Sequence, residues 1–130
     1  MLHMQKNYLY ADETQIIIGV LFDVYNELGW GFKEKRYEQA IIFDLSEKGF
    51  NCNSQKYCPI YYKNKRIGFN KCDILVDNKI LIELKVGEKL FKKDFDQVNE
   101  YLKNFNIKIA ILALYSPNGV TPRRLINNPT

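Results

Sequence analysis

The feature that most constrains this chain is an apolar run, residues Ile80–Val86, that carries two charges. Its letters, ILIELKV, are rich in Ile, Leu and Val and predict a strand inside a sheet. Side chains alternate across a strand, so Glu83 and Lys85 lie on one face. Burying either charge is costly unless something compensates it. The run therefore predicts either a Glu–Lys pair on a half-solvated surface or a site for a partner, a metal ion or a phosphate.

A second strand pattern, residues 71–76, precedes this run and is separated from it by Asp-Asn-Lys at 77–79. If all three turn residues form the loop, Asp73 lies opposite Glu83 and on the face of Lys85, whereas a two-residue loop would place Asp73 on the other face. In the three-residue register, two neighbouring carboxylates repel each other unless a cation lies between them. Oxygen ligands of this kind, with room left for water, suit Mg²⁺.

Composition limits the classes of protein to consider. We expect the 130 residues to form a single domain, residues 1–130, with its core at about 12–126 and flexible ends. The net charge of +4 mildly favours a polyanionic partner, and no signal peptide or membrane span is predicted. Three cysteines without a CxxC pair favour free thiols in a reducing cytoplasm. With one histidine, the near-terminal His3, they do not suit a zinc site or a histidine base.

The periodicity of apolar residues predicts an α/β chain of order αα-βββ-α-β. The expected helices are about 12–28, 33–48 and 94–105, and the expected strands are 50–62, 66–76, 80–86 and 107–115. Because Pro59 interrupts the first strand, we expect it to be an edge or bulged strand. A helix between the last two strands predicts their parallel pairing in a mixed sheet flanked by helices. The tail from Arg123 onward is expected to be partly disordered.

Several motifs occur in one order along the chain. Residues 31–37, GFKEKRY, fit the pattern G-x-x-E-x-x-Y. The order continues with Gln55, Gly68, Asp73, Glu83-x-Lys85 and Gln97-x-x-x-Tyr101. Over about residues 14–126 these motifs resemble the GxxExxY family, a branch similar to the PD-(D/E)XK nuclease superfamily. The sequence departs from the PD-(D/E)XK motif in lacking its proline, where Lys71-Cys72 stands. It departs from the family in the acidic stretch 94–96 and in residues 113–118, where the family tends to have an Asn-Phe-Gly-like turn.

The resemblance implies a single-domain, restriction-endonuclease-like fold and a metal-dependent nuclease that cleaves nucleic acid, with DNA favoured over RNA. The ion expected is Mg²⁺ or Mn²⁺. In this hypothesis Asp73 and Glu83 bind the ion, and the backbone carbonyl of Leu84 is a third ligand. Lys85 then positions the attacking water or stabilises charge on the phosphorus.

The resemblance also implies two supporting residues. Glu34 would act on a second metal ion or through a water, although acidic residues in a first helical turn are also favoured by the helix dipole alone. Gln97 would orient the water or Lys85. Seven cations are candidates for phosphate contacts: Lys56, Lys63, Lys65, Arg66, Lys89, Lys92 and Lys93.

Two other functions stay open at this point. The chain could be a non-catalytic nucleic-acid-binding module that keeps the nuclease fold, or a protein-interaction module whose charged strand forms an internal ion network. The intact set of Asp73, Glu83 and Lys85 favours the nuclease, because a structural role does not require all three together. The oligomeric state is undetermined, a homodimer included.

Overall fold

The computed structural model describes residues 9–127, so His3 lies outside the described residues. Within these residues, three helices and five strands follow one another. They are α1 (Ala11–Leu28), α2 (Glu34–Glu47), β1 (Cys52–Tyr62), β2 (Lys65–Val76), β3 (Ile80–Val86), α3 (Lys92–Phe105), β4 (Ile109–Ser116) and β5 (Gly119–Ile126). The predicted order αα-βββ-α-β is confirmed, and β5 is added to it.

The five strands form one mixed sheet in the order β1-β2-β3-β4-β5. β3 and β4 are parallel, as the intervening helix α3 predicts, and the other neighbours are antiparallel. Val76 pairs with Ile80, so the β2–β3 loop has three residues and the first of the two alternative registers is confirmed. β4 is buried along its whole length, which explains its unbroken apolar sequence.

The helices cover both faces of the sheet. On one face, α1 and α2 pack with apolar side chains such as Ile17, Ile41 and Ile82. On the other face, α3 packs through Leu102 against Leu81 and its neighbours. The α/β class and the sheet flanked by helices are therefore confirmed. Among the described residues, none of the helices is long and apolar enough to cross a membrane.

The expectation of a partly disordered tail from Arg123 is wrong for residues 123–126, which belong to β5. Pro117 and Asn118 form the tight turn after β4, and Gly119, with φ of 126°, begins β5 opposite Ser116. β5 then pairs with β4 as an edge strand, and Leu125 buries its side chain against the α3 face. A single buried leucine in a polar stretch gave too weak an alternation to predict a strand. Residues 128–130 lie outside the described part of the chain.

β1 and β2 pair over a longer distance than β2 and β3 do. β1 is an edge strand with a register shift between Ile60 and Tyr61, next to Pro59, which confirms its prediction as an edge or bulged strand. The pairing of β1 with β2 continues to the turn at Lys63 and Asn64, whereas the pairing of β2 with β3 is confined to residues 74–76 of β2. Residues 56–71 therefore extend past β3 as a two-stranded ribbon, which we call the β1–β2 arm.

Candidate metal centre and active site

The candidate site lies where β2 and β3 separate. Beyond the pair formed by Ile74 and Ile82, two side-chain hydrogen bonds join these strands in place of backbone pairing. The Asp73 backbone N–H donates to Glu83 Oε1 at 3.1 Å, and the Leu84 N–H donates to Asp73 Oδ2 at 2.8 Å. The two predicted carboxylates thus meet across adjacent strands, and backbone donors hold each of them in place.

The alternation of side chains along β2 is broken at Asp73. Cys72 and Ile74 are two residues apart and would share a face in a regular strand. Instead Cys72 packs on the α3 side and Ile74 on the side of α1 and α2. Gln55, in the register position across from Asp73, has a left-handed φ of 52°, which is unusual for a residue other than glycine. At this irregularity the Asp73 carboxylate meets the Leu84 N–H of β3 and the two carboxylates that α2 contributes.

Helix α2 brings two more carboxylates to Asp73. Glu34 is its first residue and Glu38 follows one turn later on the same face. One ligand oxygen from each of Glu34, Glu38 and Asp73 lies within 4.8 Å of the others. Gln55 Nε2 donates to Glu38 Oε1 at 2.8 Å and holds it there. We call these three residues the carboxylate cluster; Glu83 borders it through its contact with Asp73.

The start of α2 is fixed by Tyr37. Its hydroxyl donates to the Gly29 carbonyl at 2.6 Å and accepts from the Phe32 N–H at 3.2 Å, so it closes the loop that precedes the helix. The buried Tyr37 ring packs edge-on against Tyr115, with 4.6 Å between centroids. Gly31, at φ of 115°, makes the turn within this loop. The G-x-x-E-x-x-Y pattern therefore combines a turn, a site carboxylate and the anchor that positions it.

Burial and mutual repulsion shift the titration of all four acids. Burial is the main cause that raises the pKa of Asp73 to about 7 and of Glu83 to about 8, and the neighbouring carboxylates add to both shifts. The pKa values of Glu34 and Glu38 are raised by the same two causes. The ionised forms of these acids are therefore disfavoured in the metal-free protein, and a bound cation would stabilise them.

Lys85 lies beside the carboxylates but is held by helix α3. Its Nζ donates to Gln97 Oε1 at 2.9 Å and lies 3.9 Å from Asp94 Oδ1. Asp94 also accepts the Phe91 N–H at 2.8 Å and so caps the helix. Next to these groups is an open cleft of about 520 Å³. Its polar and aromatic lining includes Lys85, Lys89, Phe91, Lys93, Asp94 and Gln97.

A comparison with protein families decides the identity of this fold and site. The sequence model of the PD-(D/E)XK nuclease superfamily matches residues 11–123, which is most of the chain. The chain belongs to the PD-(D/E)XK nuclease superfamily. In the sequence Asp73, Glu83 and Lys85 fit the motif for which this superfamily is named, apart from its proline, and their roles stay a prediction.

Two solved structures are similar to this PD-(D/E)XK protein. One is the crystal structure of SSO0001, which is 18% identical with a TM-score of 0.49 over 90% of this chain and 78% of the other. The second is a phage-related exonuclease from Haemophilus somnus 129PT, 11% identical with a TM-score of 0.49 over 96% and 76% of the two chains. No curated protein matches the sequence.

The superfamily implies a divalent metal ion, and the donors in this site fit one. The carboxylate cluster offers three oxygen donors, and the pKa values of all three acids are raised. Mg²⁺ and Mn²⁺ prefer such ligands. Glu34 was predicted as a supporting residue, and the structure places it beside Asp73. Glu83 was predicted as a direct ligand; its Oε1 instead accepts the Asp73 N–H, so its role as a ligand stays a prediction.

The predicted basic residues of this PD-(D/E)XK domain fall into three locations. Lys89 and Lys93 line the cleft beside Lys85. Lys92 is exposed and pairs with Asp96 at 2.7 Å. The other four lie on the β1–β2 arm: Lys56, Lys63, Lys65 and Arg66. The seven cations thus occupy three separate places: the cleft, the exposed start of α3 and the arm.

Three residues of the site were missed from the sequence. Glu38 carried a signal, because it lies one helical turn from Glu34 on the same face. Gln55 belonged to the family pattern, but no local signal indicated its bond to Glu38. Tyr101 follows Gln97 by one turn, and its pKa is raised to about 12 by burial and then by the charges of Glu83 and Asp73. The Tyr101 phenol therefore lies near Glu83 and Asp73, on the side of the sheet that α3 covers.

Proposed function

We propose that this protein is a metal-dependent nuclease that hydrolyses phosphodiester bonds, with DNA favoured over RNA and Mg²⁺ or Mn²⁺ as the ion. Membership of the PD-(D/E)XK superfamily supports a nucleic-acid substrate. The observation that carries the proposal is the carboxylate cluster, whose ligand oxygens lie within 4.8 Å of one another around a buried Asp73. Such a concentration of desolvated acids destabilises the metal-free protein and is explained by a cation.

In this proposal Glu34, Glu38 and Asp73 hold the ion, and Glu83 and the Leu84 carbonyl are further candidate ligands. When bound, the ion lowers the pKa of a water and stabilises charge on a phosphate. The contacts of the ligands explain how they stay in position. Gln55 holds Glu38, and the Leu84 N–H holds Asp73.

Lys85 acts next to the ion as the group that positions the attacking water or stabilises the developing charge. Gln97 fixes the direction of its ammonium through the 2.9 Å hydrogen bond. In the cleft beyond it, Lys89 and Lys93 hold phosphate oxygens of the substrate. The acids of the carboxylate cluster lie at the sheet, and the cations Lys85, Lys89 and Lys93 lie in the cleft. This arrangement orients a substrate phosphate between the two groups.

The contacts of Lys85 disfavour an internal ion network. Among residues 9–127, the recorded salt bridges join no lysine or arginine to Glu34, Glu38, Asp73 or Glu83. Lys85 pairs instead with Asp94 and Gln97 on α3. An ion network that stabilises the fold would place lysine or arginine against the most deeply buried acids, Asp73 and Glu83. Among the described residues no such pair forms, and a bound metal cation would compensate their charge.

Three further features belong to the same proposal. We infer that the chain is a GxxExxY-type member of its superfamily, because Gly31, Glu34 and Tyr37 each have a role that the pattern requires. We also infer that residues 1–130 are one domain with its core at about 12–126, and that the protein works in the cytoplasm.

A cleavage assay tests the function. Labelled single-stranded DNA, duplex DNA and RNA are incubated with Mg²⁺ or Mn²⁺, with and without a chelator. We expect cleavage that the chelator abolishes, and a loss of at least about 100-fold in Asp73→Asn. Asp96→Asn is the matched control, because it removes the same charge from an exposed position on α3. Cleavage that persists in chelator, or an Asp73→Asn protein as active as the control, would contradict the proposal.

A further inference from the structure

The β1–β2 arm exposes an unusual number of aromatic rings. Four of its aromatic side chains are at least half exposed: Tyr57, Tyr61, Tyr62 and Phe69. Single exposed apolar residues are ordinary on protein surfaces, but a cluster of rings on one ribbon indicates a binding surface. Nothing in the carboxylate cluster or the cleft uses these residues.

Two of the rings share an open face of the arm. Tyr57 pairs with Lys71 across the strands, and Phe69 is two residues from Lys71, so all three side chains lie on one face. The Tyr57 and Phe69 rings are 5.2 Å apart between centroids. The opposite face is occupied, since Cys58 Sγ donates to the Asn104 carbonyl of α3 at 3.3 Å. Helix α3 thus packs on the opposite face of the arm at Cys58, whereas the rings of Tyr57 and Phe69 are exposed to solvent.

Cations are interleaved with these rings. Lys71 Nζ lies 5.5 Å from the Tyr57 ring centroid, and the Arg66 guanidinium carbon lies 5.8 Å from that of Phe69. Residues 56–71 contain five of the 19 Lys and Arg residues and none of the 15 Asp and Glu residues. The rest of the chain is left with 14 basic and 15 acidic residues, so the positive net charge of the protein resides on the arm. This charge is complementary to a polyanion.

The charge and shape of the arm do not favour a second copy of the chain as occupant. Two arms in contact would bring five positive charges against five, without a compensating acid. The outer edge of β1 is also a poor template for strand addition, because Pro59 lacks an N–H and the register shifts beside Ile60.

Strand β2 connects the arm directly to the site. Lys71 precedes Asp73 by two residues, which along a strand corresponds to about 7 Å. On the neighbouring strand, Lys56 follows Gln55, the residue that holds Glu38. A ligand that lies along the aromatic face therefore ends beside the carboxylate cluster.

We propose that the open face of the arm binds an unpaired nucleic-acid strand. Bases stack on Tyr57 and Phe69, and phosphates contact Lys71 and Arg66. A single strand fits better than a duplex, because the flat faces of its bases are accessible for stacking whereas those of a duplex are already stacked on each other. The inference that this strand is the substrate rests on the proposed nuclease function; the binding itself does not.

Binding without metal tests the proposal separately from catalysis. Fluorescence anisotropy in EDTA compares a labelled oligothymidylate, an abasic strand of equal length and charge, and a duplex. We expect wild-type protein to bind the oligothymidylate at least about 10-fold more tightly than the abasic strand, because only the former can stack. Tyr57→Ala/Phe69→Ala should remove this preference without weakening binding to the abasic strand. The control Phe43→Ala, which removes an exposed ring of α2, should preserve the preference.

A charge variant provides the second measurement. Arg66→Gln/Lys71→Gln should weaken binding to both strands alike and reduce the salt dependence of binding. Melting temperatures close to that of the wild type establish that each variant is folded.

Several results would overturn the inference. They are equal wild-type affinity for the two strands, a preference for duplex, or a double aromatic variant that binds as the wild type does. A dimer in analytical ultracentrifugation that the aromatic variant dissociates, with strand binding unchanged, would assign the face to a second copy. If strand binding is as expected but wild-type protein does not cleave with Mg²⁺ or Mn²⁺, the arm proposal stands and the nuclease proposal fails. If the protein cleaves but does not prefer the oligothymidylate over the abasic strand, the nuclease proposal stands and the arm proposal fails.

Discussion

The two halves of strand β2 invert the usual distribution of residues. In the first half, Ile67 and Phe69 are apolar and at least half exposed. In the second half, Asp73 is charged and only 8% exposed, among apolar neighbours such as Ile74. An exposed apolar cluster contributes little to the stability of the folded state, and a buried charge lowers it. Neither feature is therefore explained by folding. The two departures occur on one strand, a few residues apart, as expected if each half has a separate binding role.

The physical cause of the difference is coverage of the strand. The second half of β2 lies between β1 and β3 and beneath helices on both faces, whereas the first half has only β1 beside it and α3 on one face. Asp73 is at the boundary, where the side-chain alternation breaks. Chemistry is therefore expected of the buried half and its neighbours, and association with substrate is expected of the exposed half.

The largest effect should come from Lys85→Ala, which tests whether chemistry belongs to the buried side. Cleavage should fall by at least about 100-fold, because the group that assists the transition state is lost. Binding of Mn²⁺ should be retained, since Lys85 donates to Gln97 and is not a ligand. The control Lys103→Ala removes an exposed ammonium from α3 and should cleave normally. A Lys85→Ala protein that cleaves as the wild type does would contradict the assigned role.

The stability of the two halves can be compared with one residue type. Ile74→Ala removes a fully buried side chain and should lower the free energy of unfolding by about 2–5 kcal/mol. Ile67→Ala removes an exposed side chain of the same strand and should change it by less than about 0.5 kcal/mol. Urea unfolding followed by circular dichroism measures both. Similar losses of stability in the two variants would show that Ile67 is packed against the rest of the protein and is not exposed.

A smaller effect is expected from pH on the metal-free protein. Burial raises the pKa of Asp73 from 3.8 to about 7 and that of Glu83 from 4.5 to about 8, so the folded state holds protons that the unfolded state releases. This contribution to stability is complete below the unfolded values and is lost as pH rises through the folded ones. The melting temperature in EDTA should therefore fall between pH 5 and pH 9.

Two comparisons sharpen this pH experiment. Asp73→Asn should reduce the fall in melting temperature, because one of the titrating groups is removed. Saturating Mg²⁺ should raise the melting temperature most at high pH, where the carboxylates are ionised and bind the ion. A melting temperature that rises steadily with pH in EDTA would mean that the acids are not desolvated as the structure indicates.

Much of the fold was predictable because its signals are local. The apolar run Ile80–Val86, the three-residue turn before it and the helix between β3 and β4 fix the hairpin, its register and the parallel pairing. These features place Asp73 near Glu83 without any knowledge of the helices. β5 was missed because its sequence, with Pro122 and two arginines, has little alternation and depends on β4 for its pairing.

The site was less predictable than the fold, because its contacts come from elements far apart in sequence. The approach of Glu38 to Asp73 depends on how α2 packs on the sheet, and the bond from Gln55 depends on one left-handed backbone residue. The aromatic face of the arm depends on the end of β3 and on which face α3 covers. Spacing along the chain places Glu38 beside Glu34 but does not show which elements these residues contact.

Titration calorimetry with Mn²⁺ tests most directly whether the carboxylate cluster holds a metal ion. The comparison uses wild-type protein, Glu38→Gln and the exposed control Asp96→Asn. We predict that wild type and control bind with the same affinity, and that Glu38→Gln binds at least about 10-fold more weakly while remaining folded. Equal binding of Mn²⁺ by all three proteins, or no binding by the wild type, would contradict the account.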